Sequence, residues 1–480
     1  MKKIFKNNDL IKIVGLVFIF TTILTWIIHS GLFSTGSGYY SNGLVRVGIL
    51  DMFSTSVSVI TSWFFFQVTF LLVLGGFYGL LTKVKGYQAL VSKVAKSIKG
   101  REIFFVLAAS FVFAFITSIS YSSFQLLLFM PFVFTVILRA KMDKITAICT
   151  TFGGVLIGVI GGTFSGPLYE MSNFLGVGQG TLLWLKIILF VVSYGLFNYF
   201  SIVHIKKTLK QKESKKEEQI DTFEVEEASG KTKIAPLLVI FGIIFVLLVL
   251  GYIDWVNVYK VEAFTNLHAW INEFTIGEHH IFQYIIGGFD ASSGLVPGEL
   301  GTWDLFIIQI ILIVSSWIIA AIYKVKSTEY LAAIGEGIKK MLKPMFIFIF
   351  VYSAFALTIN STFVPTIVNF ILGWTKSFNI FVFTLGNIIS SFFTIDLGYI
   401  GYLYGAYYAS IYSTHTELMV IVMNTMYGLL QFIAPTSVLL MVGLSYADVK
   451  YKDWIKYIWK FVLAMFILLI ILFTLMTYVF

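Results

Sequence analysis

KVKGYQALVSKVAKSIKGREIFFVLAASFVFAFITSISYSSFQLLLFMPFVFTVILRAKMDK, residues 83–144, holds one apolar run, 102–138, with a block of positive charge on each side. Five lysines and Arg101 lie upstream in 83–101; Arg139, Lys141 and Lys144 lie downstream. Short loops rich in Lys and Arg stay on the cytoplasmic side of a membrane, so both ends of the run are expected there. A helical round trip takes about 40 apolar residues plus a turn, because each crossing takes about 20. The run has 37 residues including its turn. It is expected to be a re-entrant hairpin that enters the membrane and turns back. Irregular backbone at that depth is tolerated only where protein or a water-filled cavity shelters it. That requirement points to a transporter or a channel.

The rest of the chain fits this setting. Hydrophobic residues make up 58% and charged residues 12%, against about 25% charged in soluble domains. Repeated long apolar runs indicate one all-α integral membrane bundle. Nine spans are expected near 13–32, 58–82, 145–165, 181–204, 235–253, 302–323, 344–373, 418–445 and 457–478, with the 344–373 segment broken near 360–365. The N-terminal run is long and lacks a small-residue cleavage site, so it reads as the first span. A second re-entrant hairpin takes 378–413. With the N terminus in the cytoplasm, only Arg46, Lys260 and Lys376 of the 34 Lys and Arg fall outside, and Lys186 lies inside a span. The net charge of +9 is thereby a product of topology, and no nucleic-acid partner is expected. The lipid bilayer of the plasma membrane is the expected setting, with the C terminus outside. The lone Cys149 excludes an intrachain disulfide.

Three parts follow. Residues 1–204 form an N-terminal membrane half with the cytoplasm-facing hairpin 102–138. Residues 205–234 form a charged linker, expected to be solvated and flexible. Residues 235–480 form a C-terminal half with the outward-facing hairpin 378–413. An outer loop, 254–301, mixes acidic and aromatic residues and suits short surface helices. Its Glu278-His279-His280 trio is contiguous and cannot converge on one ion from one helix face, so no metal site is expected.

Each half reads span, hairpin, interrupted span, closing span, and an odd number of crossings separates them. They therefore form an inverted repeat, an arrangement typical of secondary transporters. The first hairpin turns near Ser118, Ser120, Ser122 and Ser123, and the next helix breaks at GGTFSGP, with Gly162, Thr163 and Ser165. The second turns near Thr394, Asp396 and Gly398, and its partner breaks at Pro435, Thr436 and Ser437. From Ser122 to Thr163 is 41 positions; from Asp396 to Thr436 is 40. These thirteen residues are the candidate substrate- and ion-binding set. Helix ends there bind anionic groups, and freed carbonyls with hydroxyls suit Na⁺ or a proton. The competing reading is that each hydroxyl back-bonds to its own helix and packs. Asp396 is the sharpest member, because a carboxylate at helix-centre depth costs about 3 kcal/mol unless it meets a cavity, a cation or a proton. Glu170, Glu417 and His415 are expected at the outer interface.

The stretches WIIHSGLF (26–33), RVGILDMF (46–53), FLLVLGGFYGLLTKVKGYQALV (70–91), ITAICTTFGGVLIGVIGGTF (145–164) and QFIAPTSVLLMVGLSYADVKYKDWIKYIWK (431–460) resemble the anaerobic four-carbon-dicarboxylate carrier family. The likeness is to its branch assigned to basic amino acid antiport, within the ion-transporter superfamily that includes the p-aminobenzoyl-glutamate carriers. The resemblance implies nine spans, two hairpins and a transport site lined by Thr163, Ser165, Pro435, Thr436 and Ser437. It also implies a homodimer paired through scaffold helices. The chain departs from relatives at His29 and at TIDLGY in the second hairpin, where a Ser- and Gly-rich turn is usual.

The expected function is secondary active transport, by ion-coupled symport or exchange, of small carboxylate-bearing solutes. Asp396 favours amino acids or short peptides over the alternative, a C4-dicarboxylate, since no membrane-embedded Arg is evident. The coupling ion is Na⁺ or H⁺, and no resident cofactor is expected. No GxxxxGK[ST], HExxH or GxSxG motif occurs, which argues against ATP coupling in this chain and against a membrane-embedded enzyme. A channel is the remaining alternative, distinguished by ohmic conductance in place of saturable uptake.

Overall fold

Helix Phe65–Lys83 crosses helix Ser327–Ser361 with the two backbones in contact. A Cβ on Gly337 would lie 2.0 Å from the Gly75 carbonyl oxygen, and one on Gly79 would lie 2.2 Å from that of Ala333. Small residues allow such close approach, which drives helix association where lipid removes the hydrophobic contrast. The structure, a computed structural model, describes residues 9–34, 36–120, 123–212, 222–226, 232–282, 285 and 298–479.

Among the described residues, eight helices are long and apolar enough to cross a membrane. Seven coincide with expected spans: Asp9–Ile27, Phe65–Lys83, Leu183–Lys212, Ala235–Tyr252, Leu305–Ile322, Ser327–Ser361 and Tyr451–Met476. The eighth, Glu102–Ile119, is the first arm of hairpin 1. The two remaining expected spans are the interrupted ones. Lys144–Ile160 stops at Gly161 and resumes as Gly166–Phe174. Thr416–Leu430 stops and resumes as Val438–Ala447.

Both segments read as re-entrant fold back on themselves. Hairpin 1 descends through Glu102–Ile119 and returns through Gln125–Arg139; Lys99, Glu102, Arg139 and Lys141 then line one surface cleft. Hairpin 2 runs through Ile380–Phe393 and back through 397–411. Its two ends stack, Phe378 on His415 at 4.5 Å between ring centres. Helix Ala235–Tyr252 separates the linker from the loop that starts at Ile253. At 1.5 Å per residue it puts about 27 Å between them, so the bundle has a linker face and a loop face.

Several details differ from the sequence reading. The first helix ends at Ile27, and Ser30–Ser34 pairs antiparallel with Gly38–Gly43. This hairpin exists because its backbone has a partner in the third dimension: the Gly31 N–H donates to the Thr362 carbonyl at 3.0 Å. Thr362 itself takes a left-handed conformation (φ 43°) and breaks the 344–373 span between Ser361 and Phe363, inside the expected 360–365. That helix begins earlier than expected, at Ser327, and carries Pro344 inside it. A short pair, Thr275–Ile276 with His279–His280, lies in the 254–301 loop beside helix Ala263–Glu273. Five linker residues, 222–226, pack onto the body of the protein.

Candidate functional site

The first hairpin tip and the first break are laced by hydrogen bonds. Ser118 Oγ donates to the Gly161 carbonyl at 2.7 Å, and the Thr163 and Phe164 N–H groups donate to the Ser118 carbonyl at 3.0 and 2.9 Å. Thr163 Oγ1 lies 3.1 Å from both the Ser118 hydroxyl and its carbonyl. The arm can come this close because Gly154 and Gly158 face it; a Cβ on Gly158 would sit 2.4 Å from the Ala114 carbonyl oxygen. Ser118, Thr163 and the Gly161 carbonyl thus satisfy one another.

The second tip is built differently. Thr436 Oγ1 donates to the Phe392 carbonyl at 2.5 Å, and Thr394 Oγ1 back-bonds to Ser390. Ser437 caps helix Val438–Ala447 by accepting from the Leu440 N–H. The carbonyls of Phe432 and Ile433, freed by the break, are taken by Trp454 Nε1 and the Tyr451 hydroxyl. Helix ends expected to wait for an ion are therefore largely occupied by protein. Asp396 caps the return arm through the Tyr399 N–H at 3.1 Å, and its carboxylate faces an open space.

That space is a cavity of about 360 Å³ between the two halves. Of the thirteen predicted residues, Ser120, Ser123, Ser165 and Asp396 line it. Gly162, Thr163, Ser118, Thr394, Gly398, Pro435, Thr436 and Ser437 flank it without lining it, in the tip and break contacts. Ser122 falls outside the described residues. The broken helices meet at the cavity, with a Cβ on Gly428 placed only 2.6 Å from the Ile160 nitrogen. Asn424 ties the halves together by donating from Nδ2 to the Ile160 carbonyl at 3.1 Å.

Sequence reading missed much of the polar lining. Gln67, Gln125, Glu170, Tyr352, Asn424, Tyr427 and Gln431 all contribute. Asn424 Oδ1, Gln125 Oε1 and Gln431 Nε2 are buried with no hydrogen-bond partner among the described residues. Glu170, expected at the outer interface, stands at the cavity beside Asp396: a Cβ on Gly398 would lie 2.6 Å from Glu170 Oε2 and 3.2 Å from Asp396 Oδ1. The available signal was a lone amide or acid in an otherwise apolar helix, as in MVIVMNTMYG (419–428).

The cavity shares Gln67, Gln125, Glu170 and Leu305 with a second space of about 460 Å³ at the loop face, which Asp254, Asn257 and Asp304 also line. The two form one path from that face to the hairpin tips. Among the described residues its lining includes four carboxylates and neither Lys nor Arg. Toward the linker face, Leu74, Leu127, Met130, Phe152 and Met341 pack into an apolar layer with a residual void of about 10 Å³.

No curated protein sequence matches this chain. Among solved structures, a YdaH transporter of Alcanivorax borkumensis aligns over 96% of both chains at 11% identity with a TM-score of 0.40. The family of C4-dicarboxylate anaerobic carriers (DcuC) matches residues 8–478. A match over nearly the whole length, on a bundle of apolar helices around a central cavity, establishes the chain as a multi-pass membrane carrier and not an enzyme: it belongs to the C4-dicarboxylate anaerobic carrier family.

Proposed function

We propose that this carrier is a secondary active transporter of small solutes bearing both an ammonium and a carboxylate group, amino acids first and short peptides next. The observation that carries this reading is the acidic path: Asp254 and Asp304 at its mouth, Glu170 and Asp396 at its floor. Two like charges about 4 Å apart repel by about 4 kcal/mol at an effective dielectric near 20. A dicarboxylate entering this path meets that repulsion with no lining cation among the described residues to offset it, whereas an ammonium group is attracted, and converging acidic walls raise its local concentration. Hydroxyls that line the cavity, those of Ser123 and Ser165 among them, receive the carboxylate. Na⁺ or H⁺ at the acidic pair drives symport, or a second solute drives exchange.

The arrangement is that of an inverted repeat with two re-entrant hairpins in the plasma membrane, N terminus in the cytoplasm and C terminus outside. Hairpin 1 is based at the linker face. Hairpin 2 is based against the strand pair near the Thr362 break, with Phe33 stacked on Tyr407 at 4.9 Å. Helix Ser327–Ser361 carries the chain from the linker face, where Tyr323 bonds the Lys233 carbonyl, to that break. The distribution of Lys and Arg supports the orientation.

The family description favours a second reading, transport of C4-dicarboxylates. Counterflow in proteoliposomes decides between them, with lysine, alanine, dialanine and succinate tested with and without Na⁺. The proposal expects saturable lysine or alanine exchange and little succinate exchange. Saturable succinate exchange without amino acid exchange overturns it.

A further inference from the structure

The linker reads as uniformly charged, yet residues 222–226, Thr-Phe-Glu-Val-Glu, sit on the protein in a defined way. Phe223 is fully buried and Val225 is 4% exposed, while Glu224 and Glu226 face out. This alternation is that of an extended segment laid on a surface. The Phe223 ring packs against Tyr78 at 5.6 Å and Tyr446 at 6.2 Å, with Lys340 Nζ 5.2 Å above it. Thr222 Oγ1 donates to the Tyr446 carbonyl at 2.6 Å. Arg139 donates one guanidinium nitrogen to the Val225 carbonyl and the other to Ser92 Oγ. Glu224 and Glu226 line a cleft with Lys93, Lys96, Lys99 and Lys141.

The anchor points matter more than the contacts themselves. Arg139 ends the return arm of hairpin 1, and Tyr446 lies in the half-helix beyond the second break. Tyr446 also belongs to the apolar layer that separates the cavity from the linker face. The segment therefore joins one hairpin and one half-helix, from opposite halves of the chain, across the side on which the path is shut. Opening that side requires these two elements to part, and they cannot part while Phe223 and Val225 stay seated.

We propose that residues 222–226 are a strap that holds the linker-face gate of the carrier closed, and that its release accompanies opening toward that face. Phe223 supplies the apolar anchor. The glutamates, opposite the lysines, make its hold sensitive to ionic strength, because exposed charge pairs are screened within about 8 Å at physiological salt.

The test follows a cysteine at Leu439, which lines the cavity, in full-length protein with the buried Cys149 replaced by serine. A membrane-impermeant maleimide is applied from the linker face of vesicles. Labelling needs no transported solute, so a wrong substrate assignment does not affect the outcome. Phe223→Ala is expected to speed labelling severalfold. Glu224→Gln with Glu226→Gln, both exposed, is expected to speed it less and to flatten its dependence on salt. If Phe223→Ala fails to fold, the glutamate pair carries the test alone. Rates equal to the parent's at every salt concentration, in each variant that folds, overturn the strap.

Discussion

At the first tip, Ser118, Thr163 and the Gly161 carbonyl satisfy each other, and no charge is present in the contact. At the second tip, hydroxyl bonds from Thr436 to the Phe392 carbonyl and from Tyr427 to the Ile395 carbonyl tie the hairpin to the broken helix, and Asp396 lines the cavity. The first contact is a dock made of mutually satisfied backbone and hydroxyl groups. The second carries the charge. The two halves repeat an order of elements, and the proposed function divides the tasks between them: positioning to the first tip, and recognition to the second with Glu170 beside Asp396.

The variants that break this comparison most strongly lie at the acidic pair. Asp396→Asn should lower amino acid uptake by tenfold or more, about 1.4 kcal/mol or more in transition-state terms, with expression and melting temperature near the parent's. Glu170→Gln should follow in the same direction with a smaller loss, because Asp396 remains to receive the ammonium group; uptake at several substrate concentrations measures both. Thr436→Val should lower uptake less than either, together with a fall in melting temperature, since it leaves the Phe392 carbonyl unpaired at a cost of about 1–3 kcal/mol. Ser118→Ala should cost a similar stability at the other tip while changing apparent affinity little. Loss of affinity in Ser118→Ala without loss of stability would reverse the division of tasks.

The smallest expected effect lies at the linker face, away from both tips. Asp143 caps helix Lys144–Ile160 through the Thr146 N–H and meets His204 Nε2 at 2.8 Å. Burial pushes its carboxyl pKa up, but the His204 and Thr146 contacts outweigh this and hold it below the usual value. A depressed carboxylate stabilises the fold above its unfolded pKa, and the contribution is lost as pH falls through the folded value. Asp143→Ala should therefore cost about 1 kcal/mol at neutral pH, and its deficit should shrink in acid below about pH 4. Melting curves at several pH values measure this.

The first hairpin was legible because positive charge flanks an apolar run too short for two crossings, the second as its counterpart in the repeated order of elements, and the breaks because Gly161, Gly162, Pro167 and Pro435 interrupt helices. Asp396 stood out as a carboxylate in an apolar stretch. Asn424, Gln67 and Gln125 did not, since a single amide in a membrane helix is as often a packing contact as a ligand, and periodicity does not report which face meets a cavity. The pairing of Glu170 with Asp396 was not legible, because it depends on how the half-helix Gly166–Phe174 folds back toward hairpin 2. The strand pair at 30–43 depends on Thr362, more than 300 residues away. In the linker, the alternation TFEVE was visible, but the surrounding charge concealed the two apolar residues that anchor it.

The central claim is that both tips face one solute compartment. Single cysteines at Ser123, from the first tip, and at Leu397, from the second, can be labelled with maleimide while lysine or alanine is added at rising concentration. The account predicts that one amino acid protects both positions with the same half-maximal concentration. Protection of only one position, or different concentrations for the two, would contradict it.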